Sequence, residues 1–288
     1  MLNTVDDLNI QEIKSAVDRA LAEDVGSGDV TTLATIPETA TATALLRARQ
    51  PLVLAGLALA EEAFRTLDPA VQFERPARDG DHLPAGATAL IIRGNARALL
   101  TAERVALNFV QRLSGIATLT ARYVKEISGT GARVLDTRKT TPGLRALEKF
   151  AVRCGGGQNH RFGLHDMVLI KDNHLAALRG AQPNPVAAAI QRARAQYPKL
   201  KVEAEADTLE QALQAAEAGA DFILLDNMPP ALLREAVSRI AGRSKTEASG
   251  GVRLETIRTI AETGVDFISV GALTHSATAV DLGLDFEE

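Results

Sequence analysis

The chain has 288 residues, of which 46% are apolar and 24% charged, with a net charge of -4 and a single cysteine. This composition is typical of a globular protein with a large core, organised as one barrel-sized domain or, as we favour, two smaller ones. The acidic balance argues against general nucleic-acid binding, one cysteine excludes an internal disulfide, and the longest apolar run is far shorter than the ~20 residues of a membrane span. The N-terminus lacks the layout of a signal peptide, so we expect a cytoplasmic protein.

The first 127 residues show helical periodicity at both ends and short strand-like pieces between them. The predicted elements are helices over residues 10–23, 58–65 and 96–127 and strands over residues 44–48, 71–74 and 89–92. Ser114 and Gly115 predict a break between two helices within the last helical stretch. We therefore predict a small sheet-containing domain that ends near residue 115.

Beyond residue 115, short apolar runs alternate regularly with helical stretches. The predicted strands cover residues 133–135, 167–170, 201–206, 222–225, 245–248 and 267–270. Asn184 before Pro185 and a capping box formed by Thr208 and Gln211 predict the starts of two of the helices. Strands that alternate with helices indicate parallel βα units, so we predict a (β/α) barrel, with an open doubly wound sheet as the alternative.

Positive charge is concentrated in one stretch of this acidic chain. Residues 133–174 hold eight Lys or Arg and three of the five histidines against four acids. These cations are interspersed with Thr, Gly and short apolar runs rather than spread along one helix face. Arg suits bidentate capture of carboxylate or phosphate and Lys acts as a point charge, so we predict a ligand with several anionic groups.

Polar residues follow each predicted strand of the second half. They are residues 136–139, residues 171–174, Glu203 with Glu205, Asp226 with Asn227, Glu247 with residues 249–251, and Gly271. The alternative for any one of them is a solvated charge at the start of a loop. In a parallel barrel, however, the carboxyl ends of the strands share one rim, where this architecture gathers its site.

Glycines at the ends of the last two strands predict a phosphate site. Ser249-Gly250-Gly251 and Gly271 expose backbone N–H groups where barrels often bind phosphate. Either glycine segment alone is a weak signal, because glycine commonly just closes a turn. Neither GxxxxGK[ST] nor a strand-linked GxGxxG occurs, so we expect a small phosphate-bearing ligand.

Carboxylates on the central strands predict a metal site. Glu203 and Glu205 are two positions apart and therefore point to the same side of a strand. Together with Asp226 they could hold Mg²⁺, which prefers one or two carboxylates plus substrate phosphate oxygens. A salt bridge to the basic cluster is the alternative, and it applies to Glu203 more strongly than to Glu205.

Six motifs occur in order, DTRKTTPGLR, RCGGGQNHR, LIKDNH, EAEAD, LLDN and EASGG. Together they resemble the quinolinate phosphoribosyltransferases, from GDVTT at Gly28 to the C-terminal strand. The resemblance implies condensation of quinolinate with 5-phosphoribosyl 1-pyrophosphate, giving nicotinate mononucleotide, pyrophosphate and CO2 on the route to NAD. It also implies an N-terminal α/β sandwich over residues 1–115 and an open α/β barrel of mostly parallel strands over residues 116–288, whose end can pack back on the first domain.

The resemblance also implies residue roles, position by position. The quinolinate-binding set would be Arg138, His160, Arg161, Lys171, His174 and, from the partner in a homodimer with shared active sites, Arg104. The set for 5-phosphoribosyl 1-pyrophosphate and its Mg²⁺ would be Lys139, Glu205 and Asp226, the last two holding the metal. The phosphate-binding set would be Ser249, Gly250, Gly251, Gly271 and His275. The catalytic set would be Lys139, Lys171, Glu205 and Asp226.

Two other functions remain open at this stage. A related phosphoribosyltransferase could use another aromatic acid or base as acceptor, although paired arginines at Arg138 and Arg161 favour a diacid. A non-catalytic sensor of an anionic metabolite could retain the fold, although it would need neither a metal carboxylate pair nor a lysine for pyrophosphate. One departure from the family is Phe150, where a tyrosine is usual, and it affects no residue with an assigned role.

Overall fold

A computed structural model describes residues 8–287; the seven residues before them, on which the expectation of no signal peptide rests, lie outside this range. The described residues form two compact units. The first comprises the chain up to Ala121, Thr140–Gly156 and the chain from Leu273 onward, and the second comprises Arg122–Lys139 and Gly157–Ala272. The domain boundary near residue 115 stays a prediction. No helix within residues 8–287 has the length and apolarity that crossing a membrane requires.

Helices and strands are numbered along the chain. The helices are α1 (Ile10–Val25), α2 (Val30–Thr35), α3 (Leu57–Leu67), α4 (Ala96–Glu126), α5 (Arg145–Cys154), α6 (Asp172–Ala177), α7 (Pro185–Gln196), α8 (Leu209–Glu217), α9 (Pro230–Ile240), α10 (Leu254–Ala261) and α11 (Ala272–His275). The strands are β1 (Thr41–Ala48), β2 (Leu52–Val53), β3 (Gln72–Glu74), β4 (His82–Leu83), β5 (Thr88–Asn95), β6 (Arg133–Leu135), β7 (Val168–Ile170), β8 (Val202–Ala206), β9 (Phe222–Asp226), β10 (Lys245–Ser249), β11 (Phe267–Ser269) and β12 (Leu282–Phe286).

The first unit contains a four-stranded sheet in the order β12-β1-β5-β3, with antiparallel neighbours. The predicted strands and the helices α1 and α3 are confirmed. The C-terminal strand β12 lies beside β1, with Leu46 opposite Leu284. The apolar faces of β1 and α3 are buried, as with Leu46 and Phe64, and they form the core of this unit.

The predicted break at Ser114 and Gly115 is wrong, because α4 is a single helix of 31 residues. The glycine serves a close approach instead. A Cβ placed on Gly115 would lie 2.1 Å from the backbone oxygen of Thr278, in the segment that precedes β12. Ser114 is also fully buried and donates from Oγ to the carbonyl of Ala55 at 3.3 Å. Both residues are small because backbone packs against the helix there.

We expect Gly115→Ala to destabilise the protein by about 1–3 kcal/mol, the usual cost of overfilling a packed site. The direction of the change is diagnostic, because Gly→Ala at an exposed helix position normally increases the free energy of unfolding by roughly 0.5–1 kcal/mol. Gly131→Ala is the matched control, since a Cβ at Gly131 meets nothing within 4 Å. Urea unfolding at equilibrium measures both variants, and a Gly115→Ala variant as stable as the wild type would contradict the close approach.

The second unit is built on six parallel strands in the order β6-β11-β10-β9-β8-β7. The first strand therefore neighbours the last, and the others follow in reverse sequence, which is the cyclic order of a barrel opened between β6 and β7. A doubly wound sheet would instead reverse its strand order at a switch point. The predicted open barrel is confirmed, and the predicted starts of α7 at Pro185 and α8 after Thr208 are confirmed as well.

Candidate active site

All six parallel strands direct their carboxyl ends to one rim of the second unit. Around the rim, the sheet order gives the sequence of the predicted side chains. It runs from residues 136–139 after β6, through Gly271 after β11, residues 249–251 at β10, Asp226 at the end of β9 and Glu205 near the end of β8, to Lys171 after β7. The glycine segments are therefore neighbours, and so are the two carboxylate strands.

Three carboxylates form a cluster at the ends of β8 and β9. One oxygen from each of Glu205, Asp207 and Asp226 can be chosen so that all lie within 4.8 Å of one another. Lys171 Nζ donates to Glu205 Oε2 at 2.6 Å. Three carboxylates and one lysine leave the group with a net negative charge, which a divalent cation would neutralise. Carboxylate oxygens are the ligands that Mg²⁺ prefers, so the residues present fit that ion.

The loop after β10 packs tightly against the end of β9. Asn227 donates its backbone N–H to the carbonyl of Ser249 at 2.9 Å. Gly250 has a φ of +94°, and a Cβ there would lie 2.1 Å from Oδ1 of Asn227. Asn227 in turn donates from Nδ2 to Asp226 Oδ2 at 2.5 Å. The glycine segment is thus fixed against the same carboxylate that belongs to the cluster.

If the glycine segment binds the phosphate-bearing ligand that the sequence predicts, Gly250→Ala should raise the KM for that ligand roughly tenfold, because a strained backbone position costs about 1–3 kcal/mol when occupied by a side chain. The added Cβ would displace Asn227 and move the loop away from Asp226. Gly264→Ala is the control with comparable backbone strain, since Gly264 has a φ of +90° but lies after α10. Steady-state kinetics compare the two variants. Equal KM values for the phosphate-bearing ligand would contradict the predicted role of the Gly250 loop in binding it.

Two arginines lie close together at the opening between β6 and β7. Burial lowers the pKa of Arg161, the nearby charge of Arg138 lowers it further, and Glu203 and Asp166 oppose the change. Arg161 donates from Nη1 to the carbonyl of Met167 at 3.1 Å. Asp166 accepts the N–H groups of the two residues after Arg161, at 2.6 and 3.0 Å, and so closes the turn. The pair is a concentrated positive site.

The cation Lys171 stands at the start of the short helix α6. His174 Nδ1 accepts the backbone N–H of Lys171 at 2.9 Å, which fixes the histidine ring against the helix start. The side chain of Lys171 is 47% exposed, whereas that of its partner Glu205 is 10% exposed. The lysine therefore reaches from open solvent to the edge of the carboxylate cluster.

Beneath the rim lies a second, buried group of titratable side chains. His160 Nε2 is 3.0 Å from Glu203 Oε2 and 3.5 Å from Glu247 Oε2, and both glutamates are 1% exposed. His160 Nδ1 accepts the backbone N–H of Arg161 at 2.7 Å. The buried carboxylate of Asp136 accepts the backbone N–H of His160 at 2.8 Å. This group connects the sheet to the segment that carries Arg161.

Comparisons with known proteins agree with this arrangement. Residues 29–114 match the N-terminal domain of quinolinate phosphoribosyl transferase, and residues 116–285 match its C-terminal domain. The chain belongs to the quinolinate phosphoribosyltransferase family.

Individual members of the quinolinate phosphoribosyltransferase family resemble the chain over nearly its whole length. A probable nicotinate-nucleotide pyrophosphorylase [carboxylating] of Bacillus subtilis is 42% identical, over 96% of this chain and 94% of that protein. The corresponding protein of Mycobacterium leprae is 44% identical, over 97% of this chain and 99% of its own length. A solved nicotinate-nucleotide pyrophosphorylase from Francisella tularensis superposes with a TM-score of 0.93 at 39% identity and covers 100% of both chains.

Twelve of the fourteen predicted site residues of this family member lie in the second unit. Within it, direct contacts or charge interactions connect Lys171 with Glu205, Glu205 with Asp226, and Arg138 with Arg161. The other two lie in the first unit. Arg104 is exposed on α4, and His275 is exposed at the end of α11, where its Nδ1 lies 2.6 Å from Ser276 Oγ.

Sequence reasoning on this quinolinate phosphoribosyltransferase family member missed one residue near the rim and left two others open. Asp207 completes the carboxylate cluster, and its signal was present, since it ends the EAEAD motif. Asp136 was among the polar residues predicted after β6, but nothing in the sequence indicated that it holds the segment of His160. Glu203 and Glu247 were left open and prove to lie beneath the rim against His160.

We expect the stability of this family member to fall as the pH rises through the range set by Glu247. Burial and the neighbouring Glu203 together raise the pKa of this carboxyl from 4.5 to about 8, against the opposing effects of His160 and Ser269. The native state therefore binds an extra proton between these two values, which favours folding at low pH and is lost as the pH approaches 8. Glu247→Gln should lose less stability than the wild type between about pH 5 and about pH 8.5.

Urea unfolding at both pH values measures the effect of Glu247. Glu217→Gln, which changes an exposed carboxylate on α8, is the matched control and should follow the wild type. If the wild type and Glu247→Gln lose stability in parallel over this range, Glu247 is ionised in the native state throughout.

Proposed function

We propose that the chain transfers the phosphoribosyl group of 5-phosphoribosyl 1-pyrophosphate to quinolinate, with decarboxylation, in de novo NAD biosynthesis. The observation that carries the proposal is the pairing of two opposite charge groups at one edge of the barrel. A cationic pair, Arg138 and Arg161, suits a diacid, and a carboxylate cluster bridged by Lys171 suits a metal-bound pyrophosphate. Family membership supports the same reaction.

The acceptor is held through its two carboxylates. Arg138, Arg161 and Lys171 supply positive charge, with His174 beside Lys171, and the family resemblance adds His160 to this set. Guanidinium groups bind carboxylates in a fixed bidentate geometry, so two of them fix the ring in one orientation. The ring nitrogen is then directed toward the anomeric carbon of the ribose, and no protein nucleophile is needed.

The donor is held by the other half of the rim. We assign Lys139, Ser249, Gly250, Gly251 and Gly271 to its phosphates, and the family resemblance adds His275 to this set. Glu205 and Asp226, with Asp207, would hold Mg²⁺, which when bound neutralises charge on the pyrophosphate. As the bond to pyrophosphate breaks, positive charge grows on the ribose, and the carboxylates of Glu205 and Asp226 stabilise it. Lys139 stabilises the negative charge of the leaving group.

Decarboxylation follows in the same site. Attachment of the ribose makes the ring nitrogen cationic, so the ring stabilises the electron pair left on the adjacent carbon when its carboxylate departs as CO2, and that carbon then takes up a proton from water. Binding by arginine would also hold that carboxylate in place until the ring has been activated. A single site therefore serves both steps without a catalytic Ser or Cys.

One assay tests the reaction and its alternatives. The protein should release CO2 from carboxyl-labelled quinolinate only when 5-phosphoribosyl 1-pyrophosphate and Mg²⁺ are both present. If nicotinate serves equally well as acceptor, the diacid assignment is wrong and a related phosphoribosyltransferase replaces it. If both substrates bind but neither is consumed, the non-catalytic sensor replaces the enzyme.

Assembly and location complete the proposal. We propose a homodimer in which Arg104 of each subunit serves the site of the other, in the cytoplasm and without nucleic-acid or membrane partners. The family resemblance supports the dimer, and the exposure of Arg104 on α4 is compatible with a contact outside its own chain. A cyclic two-fold dimer would create two identical shared sites.

A further inference from the structure

The imidazole of His160 has both of its ring nitrogens engaged inside the protein. Nδ1 lies 2.7 Å from the backbone nitrogen of Arg161, so it accepts that N–H and carries no proton of its own. The ring proton is then on Nε2, which faces Glu203 at 3.0 Å and Glu247 at 3.5 Å. The negative charge of Glu203 at this distance favours the ring tautomer in which Nδ1 can accept from Arg161.

We propose that His160 and Glu203 are positioning residues for quinolinate binding, which act by holding Arg161 rather than by touching the substrate. This inference rests on the proposed function, and it changes the role that the resemblance gives to His160. The chain of contacts runs from the sheet outward, from Glu203 on β8 through the ring of His160 to the backbone of Arg161. Each step is a contact between buried or half-buried groups.

Electrostatic interactions also support an action of Glu203 on Arg161. Arg138 and Arg161 repel each other before a diacid is bound, and Glu203 is the largest opposing charge at Arg161. A carboxylate that is 1% exposed is only weakly screened by water, so its attraction for the guanidinium is strong. Glu203 thus has two roles, since it orients the ring of His160 and offsets the repulsion within the arginine pair.

The backbone on the other side of His160 is fixed independently. Asp136 Oδ1 accepts the N–H of His160 at 2.8 Å, and Asp136 Oδ2 accepts from Asn159 Nδ2 at 2.6 Å. Gln158 is hydrogen-bonded to β6 through the N–H of Asp136 and the carbonyl of Val134. Residues 158–160 are therefore held to β6 and Asp136 by hydrogen bonds, and the His160 ring positions the next residue, Arg161.

Paired substitutions of His160 separate positioning from substrate contact. An Asn amide oxygen is two bonds from Cβ, as Nδ1 is, whereas a Gln amide is three bonds away, as Nε2 is. His160→Asn can accept the Arg161 N–H and should keep its KM for quinolinate within a few-fold of wild type, whereas His160→Gln should raise that KM about 10- to 100-fold, as when an orienting group is lost. If His160→Gln binds quinolinate as well as His160→Asn does, or better, the proposal is wrong.

Glu203 is tested by a change that keeps its shape. Glu203→Gln should raise the KM for quinolinate about tenfold, through loss of orientation and of charge, and leave the KM for 5-phosphoribosyl 1-pyrophosphate within about twofold. Glu62→Gln, at a buried carboxylate paired with Arg65 in the first unit, is the matched control and should change neither constant. Equal increases in both constants for Glu203→Gln would overturn the assignment.

Spectroscopy provides a readout that does not depend on turnover. In ¹⁵N-histidine-labelled protein, the resonance that His160→Asn removes should show a neutral ring protonated on Nε2, and Glu203→Gln should shift it. A His160 ring protonated on Nδ1 in the wild type would overturn the proposal. Should the wild type release no CO2, the proposed function fails, while this spectrum and quinolinate calorimetry still decide the roles of His160 and Glu203.

Discussion

Asp226→Asn is expected to lower kcat by about 10²–10³, the usual loss when a group that stabilises developing charge is removed. The substitution keeps the size of the side chain but removes one of three carboxylates from the cluster with Glu205 and Asp207. Because fewer negative charges would remain for Mg²⁺, the concentration of Mg²⁺ that gives half-maximal activity should rise about tenfold. Quinolinate should bind nearly as in the wild type, since its proposed ligands are cations.

The test of Asp226 combines kinetics with calorimetry. Initial rates are measured over a range of Mg²⁺ concentrations, and quinolinate affinity is measured by titration. Glu210→Gln, which removes an equal charge from the exposed side of α8, is the matched control and should behave as the wild type. Lost quinolinate affinity with a normal response to Mg²⁺ would show that Asp226 belongs to the acceptor half of the site.

The barrel could be predicted from sequence because its signals are local. Strand β9 is a short apolar run, both β9 and β10 begin and end within one residue of the prediction, and the caps at Asn184 and Thr208 mark helix starts. In a parallel barrel, the positions that follow strands share a rim whatever the loops do. Charges next to strand ends were therefore predicted to converge, and contacts such as Lys171 with Glu205 agree.

The features that sequence reasoning missed depend on residues that are far apart in the chain. In the sequence alone, Gly115 resembles a helix breaker. In the structure it lies inside α4 and makes room for the backbone of Thr278. Glu203 alternates with alanines on a strand, and this pattern is compatible both with a metal ligand and with a buried partner of a basic side chain. Only the placement of His160, which comes from the segment beside β6, distinguishes these roles. Non-local packing of this kind leaves no periodic trace in the sequence.

The barrel separates its charges into two layers, and this limits what each substitution can test. At the rim, Lys171 and Glu205 are partly exposed, so under the proposed function we expect their loss to affect substrates directly. Below the rim, Glu203 and Glu247 are buried against His160, so we expect their loss to affect substrates through other side chains. Kinetic constants resolved by substrate are therefore more informative here than total activity.

The proposal that Arg104 acts across a dimer has the most demanding test. Arg104→Ala and Lys139→Ala should each be nearly inactive alone. If each site combines Lys139 of one subunit with the partner's Arg104, a mixed dimer holds one intact site and one doubly damaged site. After unfolding and random reassembly of equal amounts, half of the dimers are mixed, so activity should recover to roughly a quarter of the wild type, as two-fold symmetry requires.

The reassembly experiment with Arg104 and Lys139 needs three controls. Native mass spectrometry must show that mixed dimers form, and each variant reassembled with itself must remain inactive. A pair of variants within one proposed half of the site, Lys139→Ala with Asp226→Asn, should not recover in the same way, because both residues would serve the same subunit's site and every mixed dimer would carry one damaged residue in each site. If mixed dimers form and the Arg104 and Lys139 pair stays at the level of the single variants, Arg104 acts within its own subunit or not at all.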